Sequence, residues 1–146
     1  ICVEMALAGA SDIIVLNIDE GGQTLVDLLN RHTPAKASFV LWNHSFDIPS
    51  DTDIVINATS VGLYPNIEQR LNINVDSLTP DMVVADCIPN PAYTHFVKDA
   101  ISKGCKHVLP GMNMLVNQAV IAIKYWTGED VDESVMRKEL KDVLGL

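Results

Sequence analysis

The chain has 146 residues, enough for one ordinary domain with a real core. Hydrophobic residues make up 48% and charged residues 20%, a globular rather than disordered composition. Ten basic against nineteen acidic residues give a net charge of −9, which argues against nucleic acid as partner, and no apolar run is long enough to span a bilayer. That charge does not argue against a nucleotide cofactor, which is held by local backbone amides.

In chain order, Ile1 to Ala8 reads as the end of a helix, with Gly9 as its stop. Asp12 to Asn17 is a short β-branched run, the pattern of a buried parallel strand. Gln23 to Arg31 carries Leu25, Leu28 and Leu29 at helical spacing, and Ser38 to Trp42 is a second strand. Asn43 to Thr52 is polar and contains proline, so it reads as loop. Asp53 to Asn57 is a third strand, followed by a loop from Ala58 to Asn66, and Met82 to Asp86 is a fourth. Pro91 is expected to open a helix running to about Lys103, before Gly104. Lys106 to Leu109 is a fifth strand, Met112 to Trp126 a long apolar helix stopped by Gly128, and Glu133 to Leu144 an amphipathic helix. Strands alternating with helices imply parallel β-α units and a doubly wound α/β sheet. No linker divides the chain, so residues 1–146 read as a single domain.

Three stretches follow predicted strands: Asn57 to Gly62, Asp86 to Thr94, and Gly111 to Gln118. Ligands of open α/β sheets bind beyond the carboxyl ends of the strands, so all three should face one crevice. Thr59 and Ser60 offer hydroxyls and amides there, although a Ser/Thr loop without a ligand explains the same residues equally well. Asn90-Pro91, taken alone, is structural punctuation. Asp86 is a candidate catalytic group or simply the cap of the next turn. Gln118, on an apolar helix, needs a partner if buried, and from local chemistry a backbone carbonyl is favoured over substrate hydroxyls. His95 is expected at the surface. The four histidines form no cluster with metal-ligand spacing, and Cys2, Cys87 and Cys105 read as inert thiols of a reducing compartment rather than a disulfide framework.

Together these stretches resemble the shikimate/quinate dehydrogenase family. Asn57-Ala-Thr-Ser-Val-Gly-Leu-Tyr-Pro65 is similar to its Asn-x-Thr-Ser-x-Gly-Met-x-Pro segment. Asp86-Cys-Ile-Pro-Asn-Pro-Ala-Tyr-Thr94 is similar to its Asp-x-x-Tyr-x-Pro-x-x-Thr segment. Gly111-Met-Asn-Met-Leu-Val-Asn-Gln118, with Trp126-Thr-Gly128, resembles its Gly-x-Gly-Met-Leu-x-x-Gln helix and Trp-x-Gly ending. The resemblance covers essentially the whole chain.

The resemblance implies a Rossmann-like nucleotide-binding domain and hydride transfer between a nicotinamide cofactor and a cyclic hydroxy acid such as shikimate or quinate. It implies that Thr59, Ser60 and Val61 follow the cofactor edge. Cys87, Gly111 and Met114 line the nicotinamide, and Gln118 contacts substrate hydroxyls. The reading further includes a small-molecule substrate, a cytoplasmic setting and a homodimer as one assembly open to it. Some family relatives are regulators that catalyse nothing, which is the alternative reading.

Departures refine the expectation. Pro89 stands where the family has its substrate-contacting Tyr, Asn113 where it has the second Gly of the helix motif, and Pro110 where an Asp commonly stands. Asn113 is expected to keep a left-handed backbone open. The cofactor stretch is Asn17-Ile18-Asp19, where NADP-dependent members carry Asn-Arg-Thr. Ile18 cannot pair with a 2′-phosphate, and Asp19 suits a free 2′-hydroxyl, so NAD is expected over NADP. The first strand and Gly-rich loop of a Rossmann unit are absent from residues 1–146, as are the family's Lys and Asp that handle the proton. The expectation is a partial domain, inactive alone, whose substrate and catalytic domain would precede residue 1 of a longer protein.

Overall fold

A computed structural model describes residues 1–144, the last of them as helix backbone only. The described chain forms two compact units, residues 1–46 and 47 onward. Its five strands lie in two separate parallel sheets, one in each unit. Among the described residues, no helix is long and apolar enough to cross a membrane.

The first unit comprises α1 (Cys2–Leu7), β1 (Asp12–Asn17), α2 (Gly21–His32) and β2 (Lys36–Leu41). Gly9 takes φ +104°, the conformation that stops α1 and that a side chain would resist. β1 pairs with β2 in parallel, Asp12 against Lys36 through Asn17 against Leu41. Ala6, Leu29 and Ala35 are buried, with Cys2, Ile13, Val15, Leu25 and Ala37 packed against them. This is the helical face of α2 meeting the inward face of β1. Asn30 of α2 does for β2 what a further strand would do. Its Nδ2 donates to the Ala37 carbonyl at 2.9 Å, and its Oδ1 accepts from the Ala37 amide at 2.8 Å. That leaves part of an edge satisfied that an open sheet would expose.

The second unit holds β3 (Ile54–Asn57), a 3-10 turn (Val75–Ser77), β4 (Val83–Asp86), α3 (His95–Ser102), β5 (His107–Leu109), α4 (Gly111–Thr127) and α5 (Glu133–Leu144). Its sheet order is β3-β4-β5, all parallel, with Ile54 opposite Val83 and Val83 opposite His107. Met82, Val84, Val97 and Ala100 are at most 1% exposed and form the centre of the core between β4 and α3. The central strand is paired on both sides, so its short apolar run is the one most fully buried, as parallel sheets require.

Two expectations need correction. α3 begins at His95, not Pro91, because the Thr94 side chain accepts from the Val97 amide and sets the cap there. The peptide before Pro91 is cis. Asn113 is not left-handed: it lies in the first turn of α4, and among the described residues only glycines have positive φ.

Candidate functional site

All three motif stretches lie in the second unit, at the carboxyl ends of β3 and β4 and at the start of the helix after β5. A parallel sheet makes this unavoidable, since each strand delivers its following loop to the same edge.

The first two stretches share a buried polar network. Asn57 and Asp86, opposite one another in the β3–β4 register, are each 3% exposed. Asn57 Nδ2 donates to Asp86 Oδ1 at 3.1 Å. The same oxygen accepts from the Ile88 amide at 2.9 Å, and Oδ2 accepts from the Thr94 hydroxyl at 2.6 Å. Asn57 Oδ1 in turn accepts from the Thr59 amide at 3.0 Å and the Thr59 hydroxyl at 2.8 Å. Thr59 Oγ1 accepts from the Val61 amide at 3.1 Å. Asp86 thus occupies both of its lone-pair-bearing oxygens with protein donors. It is a tie between loops, not a free acid.

The loop after β3 is held along its length. Gly62 sits at φ +92° beside Thr94, and the Tyr64 amide donates to the Asn90 carbonyl at 3.1 Å. Farther on, His95 Nε2 meets Glu68 at 3.0 Å and Arg70 bridges Asp99 at 2.8 Å. His95, expected at the surface, is therefore a half-buried partner of this loop. The third stretch joins by close approach: a Cβ at Gly111 would lie 2.3 Å from the Ile88 carbonyl oxygen, so only glycine lets α4 start there.

What faces outward is chemically mixed. Ser60, Met114 and Gln118 are exposed, Val61, Cys87 and Pro89 half-buried. Gln118 is not the buried amide that would need a backbone carbonyl; its side chain is available to a ligand. The Cys87 thiol is pushed up from its usual range, first by burial and then by the neighbouring Asp86 carboxylate, so it stays a neutral thiol. Asn113 Oδ1 accepts from Arg137 of α5, a side-chain tie with no counterpart for a glycine. Sequence reasoning missed Arg137, which sits 24 residues away with no motif around it.

Asn17, Ile18 and Asp19 belong to the first unit, at the carboxyl end of β1. Asp19 Oδ1 accepts from the Gly21 amide at 2.8 Å and from Asn17 Nδ2 at 3.0 Å. Among the described residues its second oxygen finds no hydrogen-bond donor, and Ile18 beside it is 78% exposed. An acceptor-only carboxylate oxygen fits a ribose 2′-hydroxyl and repels a 2′-phosphate. Gly22 is required next to it, since a Cβ there would fall 2.5 Å from the Phe39 ring.

Comparison with known proteins agrees with this arrangement. Residues 111–141 match the family profile described as the shikimate 5′-dehydrogenase C-terminal domain. The chain is 33% identical over 144 residues to an NADP(+) shikimate dehydrogenase of Methanococcus aeolicus, covering 99% of this chain and 51% of that protein. Among solved structures it is similar to the ligand-free 5-ketofructose reductase of Gluconobacter sp. strain CHM43, with 44% identity and a TM-score of 0.89, over 97% of this chain and 50% of that one. It is also similar to the quinate dehydrogenase of Corynebacterium glutamicum in complex with NAD, with 25% identity and a TM-score of 0.71, over 93% and 57% of the two chains. The chain spans about half the length of the curated relatives it matches. The motif order, the Rossmann-like parallel α/β architecture and these similarities agree, and the chain belongs to the shikimate/quinate dehydrogenase family.

Proposed function

We propose that this chain is the nicotinamide-dinucleotide-binding part of an oxidoreductase that interconverts a hydroxyl and a keto carbon on a small polyhydroxylated substrate. The observation that carries this reading is the gathering of Thr59–Val61, Cys87–Pro89 and Gly111 at one edge of a parallel sheet, locked by Asp86 and by the Gly111–Ile88 approach. A bound nicotinamide supplies the redox step itself. The chain's own residues bind and orient: Thr59, Ser60 and Val61 along the cofactor edge, Cys87, Gly111 and Met114 beside the nicotinamide, Gln118 toward substrate hydroxyls. The family's Lys and Asp acid–base pair has no counterpart in residues 1–146. The 146-residue chain alone is therefore expected to turn over substrate at least about 10²-fold more slowly than a protein that supplies such groups.

Asp19 and Ile18 support NAD over NADP, although the Methanococcus relative is named for NADP(+). The double substitution Ile18→Arg with Asp19→Ser adds a phosphate partner and removes the repelling charge. It is expected to move the ratio of kcat/KM values toward NADP by about tenfold or more. An unchanged ratio would remove Asp19 from the specificity argument.

For the substrate, a second reading has specific support. Pro89 presents no hydroxyl where shikimate-using members have Tyr, and the 44%-identical relative is named a 5-ketofructose reductase. The keto-sugar class therefore stands beside the cyclic hydroxy acids. Assay of the full-length protein with NAD(H) and NADP(H) against shikimate, quinate and 5-ketofructose separates these readings. Turnover of shikimate or quinate supports the hydroxy-acid class, and turnover of 5-ketofructose alone the keto-sugar class. Dinucleotide binding without turnover of any substrate would favour a non-catalytic, regulatory module. A cytoplasmic setting suits the three free thiols, and sedimentation of the same sample tests the homodimer.

A further inference from the structure

The geometry points to Asp86 as a positioning residue for the dinucleotide: one buried carboxylate holds the loops after β3 and β4 in a single arrangement. The inference rests on the dinucleotide-binding reading above. Asp86 is 3% exposed and, among the described residues, pairs with no cationic side chain. A buried charge without a counter-ion is costly unless hydrogen bonds replace its water. Here three donors do so, and every one of them belongs to, or leads to, a ligand-facing loop.

The direction of the bonds shows why a carboxylate is needed. On one side the Val61 amide donates to the Thr59 hydroxyl, which donates to Asn57, which donates to Asp86. On the other side the Val97 amide donates to the Thr94 hydroxyl, which donates to Asp86. The Ile88 amide donates directly. All three chains run toward the same acceptor, so each bond polarises the next. An amide at position 86 would present N–H to a Thr94 oxygen that already accepts from Val97, and would leave a buried hydroxyl proton without an acceptor. Ile88 also carries the consequence to α4, because Gly111 is seated directly against its backbone. Asp86 thus positions Thr59–Val61, Cys87–Pro89 and the first turn of α4 at once. It touches no ligand itself.

The test is dinucleotide affinity in the full-length protein, read by NADH and NADPH fluorescence titration, with KM, kcat and thermal melting beside it. Asp86→Asn and Thr94→Val are each expected to raise the Kd and the KM for the preferred dinucleotide by about tenfold, with a much smaller change in kcat at saturating cofactor. Thr94→Ser, which keeps the donating hydroxyl, is expected to bind as wild type. Gly128→Ala, which strains a left-handed helix end, lowers the melting temperature without touching the network and calibrates a purely structural loss. Should Asp86→Asn fail to fold, the Thr94→Val and Thr94→Ser pair decides alone. Wild-type affinity in Asp86→Asn or in Thr94→Val overturns the inference, as does an equal affinity loss in Gly128→Ala. If wild type binds neither dinucleotide, the functional reading fails and the inference falls with it.

Discussion

Three glycines and one cysteine carry the clearest residue-scale consequences. Gly111→Ala would drive a methyl into the Ile88 backbone, at 2.3 Å from the oxygen and 2.4 Å from the carbonyl carbon. Backbone cannot turn aside as a side chain does, so the expected loss is about 1–3 kcal/mol in urea unfolding. Gly22→Ala meets side chains rather than backbone, the Phe39 ring at 2.5 Å and Asn17 Cβ at 3.1 Å, and a smaller loss follows if the ring shifts. Gly128 has open space around it but φ +78°, so Gly128→Ala is expected to cost about 1–2 kcal/mol from backbone strain alone. Equal losses at 111 and 22 would mean that the Ile88 approach is looser than its geometry. For Cys87, a raised pKa means less thiolate at neutral pH than an ordinary cysteine has. Maleimide labelling followed by mass spectrometry is expected to show Cys87 modified slowly near pH 7 and faster as pH rises past the ordinary thiol range. Rapid labelling at neutral pH would contradict the burial and the Asp86 field as its governing causes.

At the scale of elements, caps and ties decide where helices begin and how they are held. Thr94 caps α3 through the Val97 amide, while Pro91, the expected opening residue, lies in the turn before it. In the sequence Pro91 is the stronger local punctuation. Only the Asp86–Thr94 bond, across eight residues, reveals which of the two the fold uses. α4 and α5 are tied by Arg137 to Asn113, with Glu133 3.9 Å from the same guanidinium. Asn113→Gly restores the glycine of the family motif, yet it removes this tie and places glycine inside a helix. It is expected to lower stability by about 1 kcal/mol in thermal or urea denaturation. A gain in stability would mean that Asn113 is there for a ligand and not for α5.

At the scale of the whole chain, the two sheets differ in how completely their strands are paired. Among the described residues β4 has partners on both sides, whereas β1 pairs only with β2 and β3 only with β4. Ile14 on β1 and Ile54 on β3 are 42% and 40% exposed, unusual for β-branched residues in parallel strands. In hydrogen exchange of the 146-residue chain, β4 amides are expected to be the slowest, and the amides of β1 and β3 that point to their unpaired edges much faster. Uniform protection across β1, β3 and β4 would show that those edges are covered.

Much of this organisation was legible in residue order. Short apolar runs bounded by turn residues located every described strand to within about two residues, because such runs favour the extended backbone of a parallel strand. Gly9, Gly104 and Gly128, all at positive φ, stopped helices where expected. The three motif stretches identified the family and the sheet edge to which their loops are delivered, since parallel topology leaves that edge no freedom. Tertiary structure alone decided what each polar residue does. Whether Asp86 was an acid or a tie depended on Asn57, Ile88 and Thr94 being within 3.1 Å of it. Whether Gln118 needed a backbone partner depended on which side of α4 is covered. Asn113 was open to a left-handed reading until Arg137 and the helix itself fixed it. The physical reason is one of range. Periodicity and turn chemistry are set by neighbours a few residues apart, whereas burial and hydrogen-bond direction are set by partners that only folding brings together.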